Sequence, residues 1–224
     1  MTTTVDRPLV SATSWSEAAA CQGSDLEEFF ADSEKTQRLM QDLCRGCPSR
    51  TSCLTDILKY EDGSYYMRWG VSGGLTAVQR RALRCEALLG NIPNWEQAAE
   101  LASPAWTSRM KPLYRGGFLP EGIAAELRKQ YSVIAAPVTV RLAVWWAGDK
   151  GSVLPHRGRD DRRLLWEVVR DESRDVVGEL RSFGAGSRDI SAYLQVSVTA
   201  LNQATRAWET EDAAQDAKAL EEVA

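Results

Sequence analysis

EKTQRLMQDLCRGCPSRTSCLTDILKY, residues 34–60, carries the reading that decides the fold. The stretch predicts one helical segment from Glu34 to Tyr60, bent at Pro48, with three cysteines inside ten residues: Cys44, Cys47 and Cys53. The Cys44-x-x-Cys47 pair brings two thiolates close enough for one metal centre. Cys53 lies nearly two turns further on, and a fourth cysteine, Cys21, must arrive from another segment. Four soft thiolates suit zinc or an iron–sulfur cluster. Structural zinc more often takes two short Cys pairs, and only one is present. Thiols held on helices rather than on zinc-ribbon hairpins favour the cluster. The fifth cysteine, Cys85, falls on an apolar helical stripe with Leu75, Val78, Ala82 and Leu89 and reads as core.

The remainder of the chain agrees with a helical, intracellular protein. Its 224 residues are 44% hydrophobic and 26% charged, enough to bury a core without disulfide staples. No stretch approaches a membrane span, and the Thr- and Ser-rich first twenty residues hold no apolar signal core. An odd number of cysteines, four of them between residues 21 and 53, argues against an extracellular disulfide framework and for the cytoplasm. The net charge is −4, unevenly spread. Residues 104–170 hold twelve Lys and Arg against six acids, whereas residues 171–224 hold five against eleven. A basic middle beside an acidic end suits nucleic acid at one place.

The expected organisation is a flexible tail (1–14), a cysteine domain (15–90), a helical region (91–147), a turn-rich linker (148–161), a further helical domain (162–210) and an acidic tail (211–224). No segment from Trp95 onward alternates long enough to read as a sheet, so the fold class is all-α. Three short segments resemble one another: Gln97-Ala98-Ala99-Glu100-Leu101, Ile123-Ala124-Ala125-Glu126-Leu127 and Ile190-Ser191-Ala192-Tyr193-Leu194. Each precedes a turn and a second helix, the helix-turn-helix arrangement. Small residues let two steeply crossing helices approach, and the second helix offers its polar face to a major groove. In the last copy that face carries Thr199, Asn202, Gln203 and Arg206, side chains that pair with adenine, guanine or phosphate. In the first it is limited to residues such as Arg109 and Lys111. Duplex DNA is the expected partner.

Three stretches stand out within residues 15–83: WSEAAACQGSDLEEFF, CRGCPSRTSC followed by Leu54, and WGVSGGLTAVQRRAL. With these stretches the segment resembles the WhiB-like family of actinobacteria and their phages. The resemblance implies a [4Fe–4S] cluster ligated by Cys21, Cys44, Cys47 and Cys53, a disulfide in the cluster-free form, a role in transcription, and contact with the primary sigma factor or RNA polymerase. It also places Trp69, Gly70, Gly73 and Gly74 in a turn beside the cluster. One departure stands out: Ser72 occupies the place of the family's tryptophan, which predicts a weakened sigma contact.

The leading expectation is therefore an iron–sulfur, DNA-binding transcription regulator responsive to O₂ or NO, and not an enzyme. Two other classes compete. A cluster-free disulfide reductase would use Cys44 and Cys47, but no thioredoxin-like strand pattern surrounds them. A docking scaffold for sigma factor or RNA polymerase would show no salt-sensitive DNA binding. The single histidine, His156, reads as an exposed loop residue rather than a catalytic one.

Overall fold

The computed structural model describes residues 13–30, 33–62, 69–148 and 163–223. The expected tail, but for residues 13–14, and the expected linker with His156, but for Gly148, lie outside them. The chain forms two compact units, Met1–Thr76 and Ala77–Ala224. Among the described residues the fold is all-α apart from one minimal hairpin.

The first unit contains α1 (Thr13–Ser16), α2 (Leu26–Phe29), α3 (Glu34–Arg45), α4 (Arg50–Asp62), β1 (Val71–Ser72) and β2 (Leu75–Thr76). Asp25 caps α2 by accepting the Glu27 N–H at 2.9 Å, and Ser33 is the N-cap of α3. The single bent helix expected over residues 34–60 is instead two helices. Gly46 ends α3, and Cys47-Pro48-Ser49 separates it from α4. Proline lacks an N–H and drives the residue before it out of helical geometry, so Cys47 sits in a turn rather than on a helix face. The antiparallel hairpin pairs Val71 with Thr76 and Ser72 with Leu75. Its two-residue loop, Gly73-Gly74, has positive φ at both positions (55° and 76°), as a primed hairpin turn requires.

The second unit begins with α5 (Ala77–Leu88) and continues through α6 (Trp95–Leu101), α7 (Pro104–Arg115), α8 (Pro120–Tyr131), α9 (Pro137–Trp146), α10 (Leu165–Glu172), α11 (Arg174–Ser182), α12 (Ser187–Leu194) and α13 (Val198–Val223). Proline opens α7, α8 and α9 at the position where a missing N–H costs nothing. Asn94 caps α6 by accepting the Gln97 N–H at 3.0 Å. One core gathers Leu101, Met110, Ile123, Leu127, Val140 and Val144 from α6 to α9. Another joins Cys85 of α5 to Val169, Val177, Leu180, Ile190, Leu201 and Trp208 of α10 to α13. Trp145, Trp146 and Trp208 are buried anchors.

Two features of this unit depart from the hydrophobic pattern. Val78, on the expected apolar stripe of α5, is exposed, while Arg80, Arg81 and Glu86 are buried. Burial of charge is tolerated here because partners arrive from distant helices. Asp189 of α12 meets Arg81 at 3.3 Å and Arg84 at 3.1 Å, and Arg141 of α9 meets Glu86 at 2.6 Å. The second departure is α9, in which every residue from Val138 to Trp146 is buried. It has no polar face to offer a groove, although the sequence reads it as the second helix of a groove-reading pair.

Candidate metal centre and nucleic-acid interface

The turn created by Pro48 brings Cys47 back toward the start of the domain, where the Ala20 N–H donates to its Sγ at 3.3 Å. Cys44 is buried on the last turn of α3, in an apolar group with Phe29, Met40 and Val71, and Cys21 packs against that group. Cys53 lies on α4, next to the fully buried Leu54. The four thiols share one electrostatic neighbourhood. Burial pushes the Cys44 thiol up to about 11; an N–H from Gly74 pulls it down, and Cys53, Cys21 and Cys47 each push it further up. Cys44 is therefore costly to ionise unless a cation takes up the charge. Arg50, itself mostly buried, is pulled below its ordinary value by burial and held up by Cys44 and Cys47.

The glycine hairpin is fitted against α2 and against α3 and α4, the two helices that carry Cys44 and Cys53. A Cβ on Gly70 would fall 2.0 Å from the Phe29 carbonyl oxygen, and one on Gly73 would fall 2.4 Å from the Leu54 Cβ and 2.7 Å from its Cα. The Gln41 side chain donates to the Gly74 carbonyl at 3.1 Å, tying the turn to α3. The hairpin therefore rests on α2, α3 and α4 at once. Trp69, just before it, is 58% exposed, and Ser72 is partly buried in β1. Trp15 fixes the opposite end: its indole N–H donates to Asp56 of α4 at 2.7 Å, and its carbonyl accepts the Ser49 hydroxyl at 2.5 Å.

The chemistry of this set fits thiolate ligation, as a cluster would need. All the donors are thiols, two receive backbone N–H groups, and a guanidinium stands close by, which are the hydrogen bonds and charges that tune cluster ligands. Among the described residues no group of three or more Cys, His, Asp or Glu side chains, these thiols included, is already placed to hold a metal ion.

In the second unit α12 and α13 are joined by the three residues Gln195–Ser197. Gln195 takes the left-handed conformation (φ 53°) that ends α12, and the Ser197 hydroxyl accepts the Ala200 N–H at 3.1 Å to start α13. Ala200, Leu201, Ala204 and Trp208 point into the core, and the Trp208 indole donates to the Arg170 carbonyl at 2.9 Å. Thr199, Asn202, Gln203 and Arg206 all lie exposed on the opposite face, at i, i+3, i+4 and i+7. Arg109 and Lys111 are exposed on α7. Sequence reasoning named Gly74 as part of the turn beside the cysteines but missed Arg50 there, and it missed Asp189 at the start of α12. Arg50 and Asp189 had no sequence signal, because their roles arise from partners that folding brings to them.

A four-thiol helical unit followed by a larger helical unit with an exposed polar helix defines the class. Residues 15–83 match the family model "Transcription factor WhiB". Similar proteins are the transcriptional regulator WhiB2 of Mycolicibacterium smegmatis (34% identical over 70 residues, 31% of this chain and 50% of that protein) and WhiB2 of Mycobacterium tuberculosis (33% over 70 residues, 31% and 73%). The transcriptional regulator WhiB of Streptomyces coelicolor is 32% identical over 74 residues, 33% of this chain and 79% of that protein. The chain belongs to the WhiB family. It spans about half the length of the Mycolicibacterium smegmatis relative. No solved structure matches it.

Proposed function

We propose that this chain is a cytoplasmic iron–sulfur transcription regulator that reads duplex DNA through α13, used as the second helix of a helix-turn-helix. The observation that carries the reading is the convergence of Cys21, Cys44, Cys47 and Cys53 on one neighbourhood roofed by a glycine hairpin. These four residues would hold a [4Fe–4S] cluster. When bound, the cluster supplies a redox centre reactive toward O₂ and NO. The chain's own residues orient and shield it: Gly74 and Ala20 donate N–H groups to Cys44 and Cys47, Arg50 offsets thiolate charge, and Phe29, Met40 and Val71 keep water from Cys44.

The DNA reading rests on the face of α13. Asn202 and Gln203 suit the edge of adenine, and Arg206 suits guanine or phosphate. Sigma factor or RNA polymerase is the second partner in this reading, with Trp69 exposed beside the hairpin and Ser72 unable to supply an aromatic anchor.

Anaerobic purification with iron, sulfide and zinc counts, followed by DNA capture on the same sample, tests both halves. Iron and sulfide are expected, lost on changing any of the four cysteines to Ala and retained in Cys85→Ala. One zinc without sulfide overturns the cluster. The double variant Asn202→Ala, Arg206→Ala is expected to fold normally and lose about 2–4 kcal/mol of specific binding, at ~1–2 kcal/mol per contact. Unchanged sequence preference removes α13 as the reader.

A further inference from the structure

The surface formed by α7 and α8 has an arrangement that the reading of α13 does not use. The Arg109 guanidinium lies 4.6 Å from the ring centroid of Trp106 and 4.9 Å from that of Tyr131. Those two rings meet edge to face, 5.5 Å apart at 89°. Trp106 is one turn earlier on α7 and partly packed into the core, whereas Tyr131 ends α8. Stacking on an aromatic face engages the flat side of a guanidinium and leaves the N–H donors around its edge directed elsewhere. Arg109 is thus held in place by rings, without a carboxylate neutralising it among the described residues, and it stays exposed. Lys111 and Arg115 on α7 and Arg128 on α8 are exposed too, and none has a carboxylate partner among the described residues. The one local acid in an ion pair, Glu126, faces Lys129 at 3.7 Å.

We propose that the α7–α8 surface is a second duplex-DNA contact, in which Arg109, pre-set by Trp106 and Tyr131, grips backbone phosphate with Arg128, one turn before Tyr131 on the same face of α8. The proposal rests on the DNA reading of α13 and adds to it. A planar fork held in one orientation suits the two oxygens of a phosphate and loses little freedom on binding. Contacts of this kind carry no sequence information; they fix register and add salt-sensitive affinity. One chain would then supply both a reading helix and a backbone grip.

The test uses the full chain, purified anaerobically, on its captured site and on a random duplex over a salt series. Arg109→Gln and Arg128→Gln are each expected to weaken both duplexes by a similar factor, about threefold to tenfold, and to lower the salt slope by about one. Tyr131→Leu leaves every charge in place but frees Arg109; it is expected to weaken both duplexes about twofold to threefold, loosening a cation–π contact at an exposed site. Arg128 takes no part in the ring stack, so its variant keeps the test sound if Arg109→Gln loosens the helix pair. Wild-type affinity and slope in both Gln variants overturn this proposal while leaving α13 as reader. A wild-type chain that binds neither duplex at low salt overturns the reading of α13 and this surface together.

Discussion

At Gly73 one added methyl group would collide with Leu54 Cβ, Cα and N, all within 2.8 Å, in a backbone conformation that side chains resist. Leu54 is fully buried beside Cys53, so α4 cannot yield without disturbing the thiols. Gly46 is a matched control: φ is −95° and nothing lies within 4 Å of its virtual Cβ. Gly73→Ala is expected to cost the first unit at least ~2 kcal/mol and to lower bound iron, because strain at positive φ adds to the overlap. Gly46→Ala is expected to stay within ~0.5 kcal/mol. Urea unfolding and iron content measured on both variants decide the matter; equal behaviour would mean the hairpin adapts freely.

Among the elements, α5 shows how charge can hold helices together. Asp189 is fully buried on α12 and lies within 3.3 Å of both Arg81 and Arg84 of α5. Arg38 and Glu34 on α3 make a shorter contact, 2.9 Å, but both side chains are about 60% exposed. Burial, not distance, decides which pair matters. Removing the acid leaves two guanidinium groups facing a desolvated site, so Asp189→Asn is expected to destabilise the second unit by about 3 kcal/mol. Arg38→Gln is expected to change stability by less than ~0.5 kcal/mol, since water and salt screen the pair. Chemical denaturation followed by Trp208 fluorescence reads the first, and a near-zero loss would show that water reaches Asp189.

Across the whole molecule, stability should also depend on alkaline pH. Tyr193 of α12 is pushed up to about 12, by burial first and by Glu86 next, with Arg141 opposing. Its ring lies 5.4 Å from the Arg141 guanidinium. The unfolded phenol titrates near 10. The folded state thus favours the neutral form, and the resulting stability is complete below about pH 10 and is lost as pH rises through about 12. Wild type is expected to lose stability across that window more steeply than Tyr193→Phe. Identical pH profiles would place the phenol in contact with bulk water.

Short-range chemistry is legible in the bare sequence. Helical periodicity, the loop at residues 91–94, the proline-started helices and the turn before Val198 follow from local backbone preferences. The cysteine spacing and the glycine turn identify the family segment, since both depend on residues close in sequence. Pro48 as a bend was legible; its effect as a full break was not, because Gly46 and Pro48 act together. The two-residue strands escaped notice because they are too short to alternate. Only the tertiary structure decided that α9 is buried on every side, that Arg81 and Glu86 lie inside with Arg84 half-buried, and that Arg109 rests between two rings. Each depends on a partner from a separate helix: Arg81 and Arg84 on Asp189, over a hundred residues away, Glu86 on Arg141, and Arg109 on Tyr131. Whether a polar residue faces water or a partner is a property of the neighbours that folding brings to it.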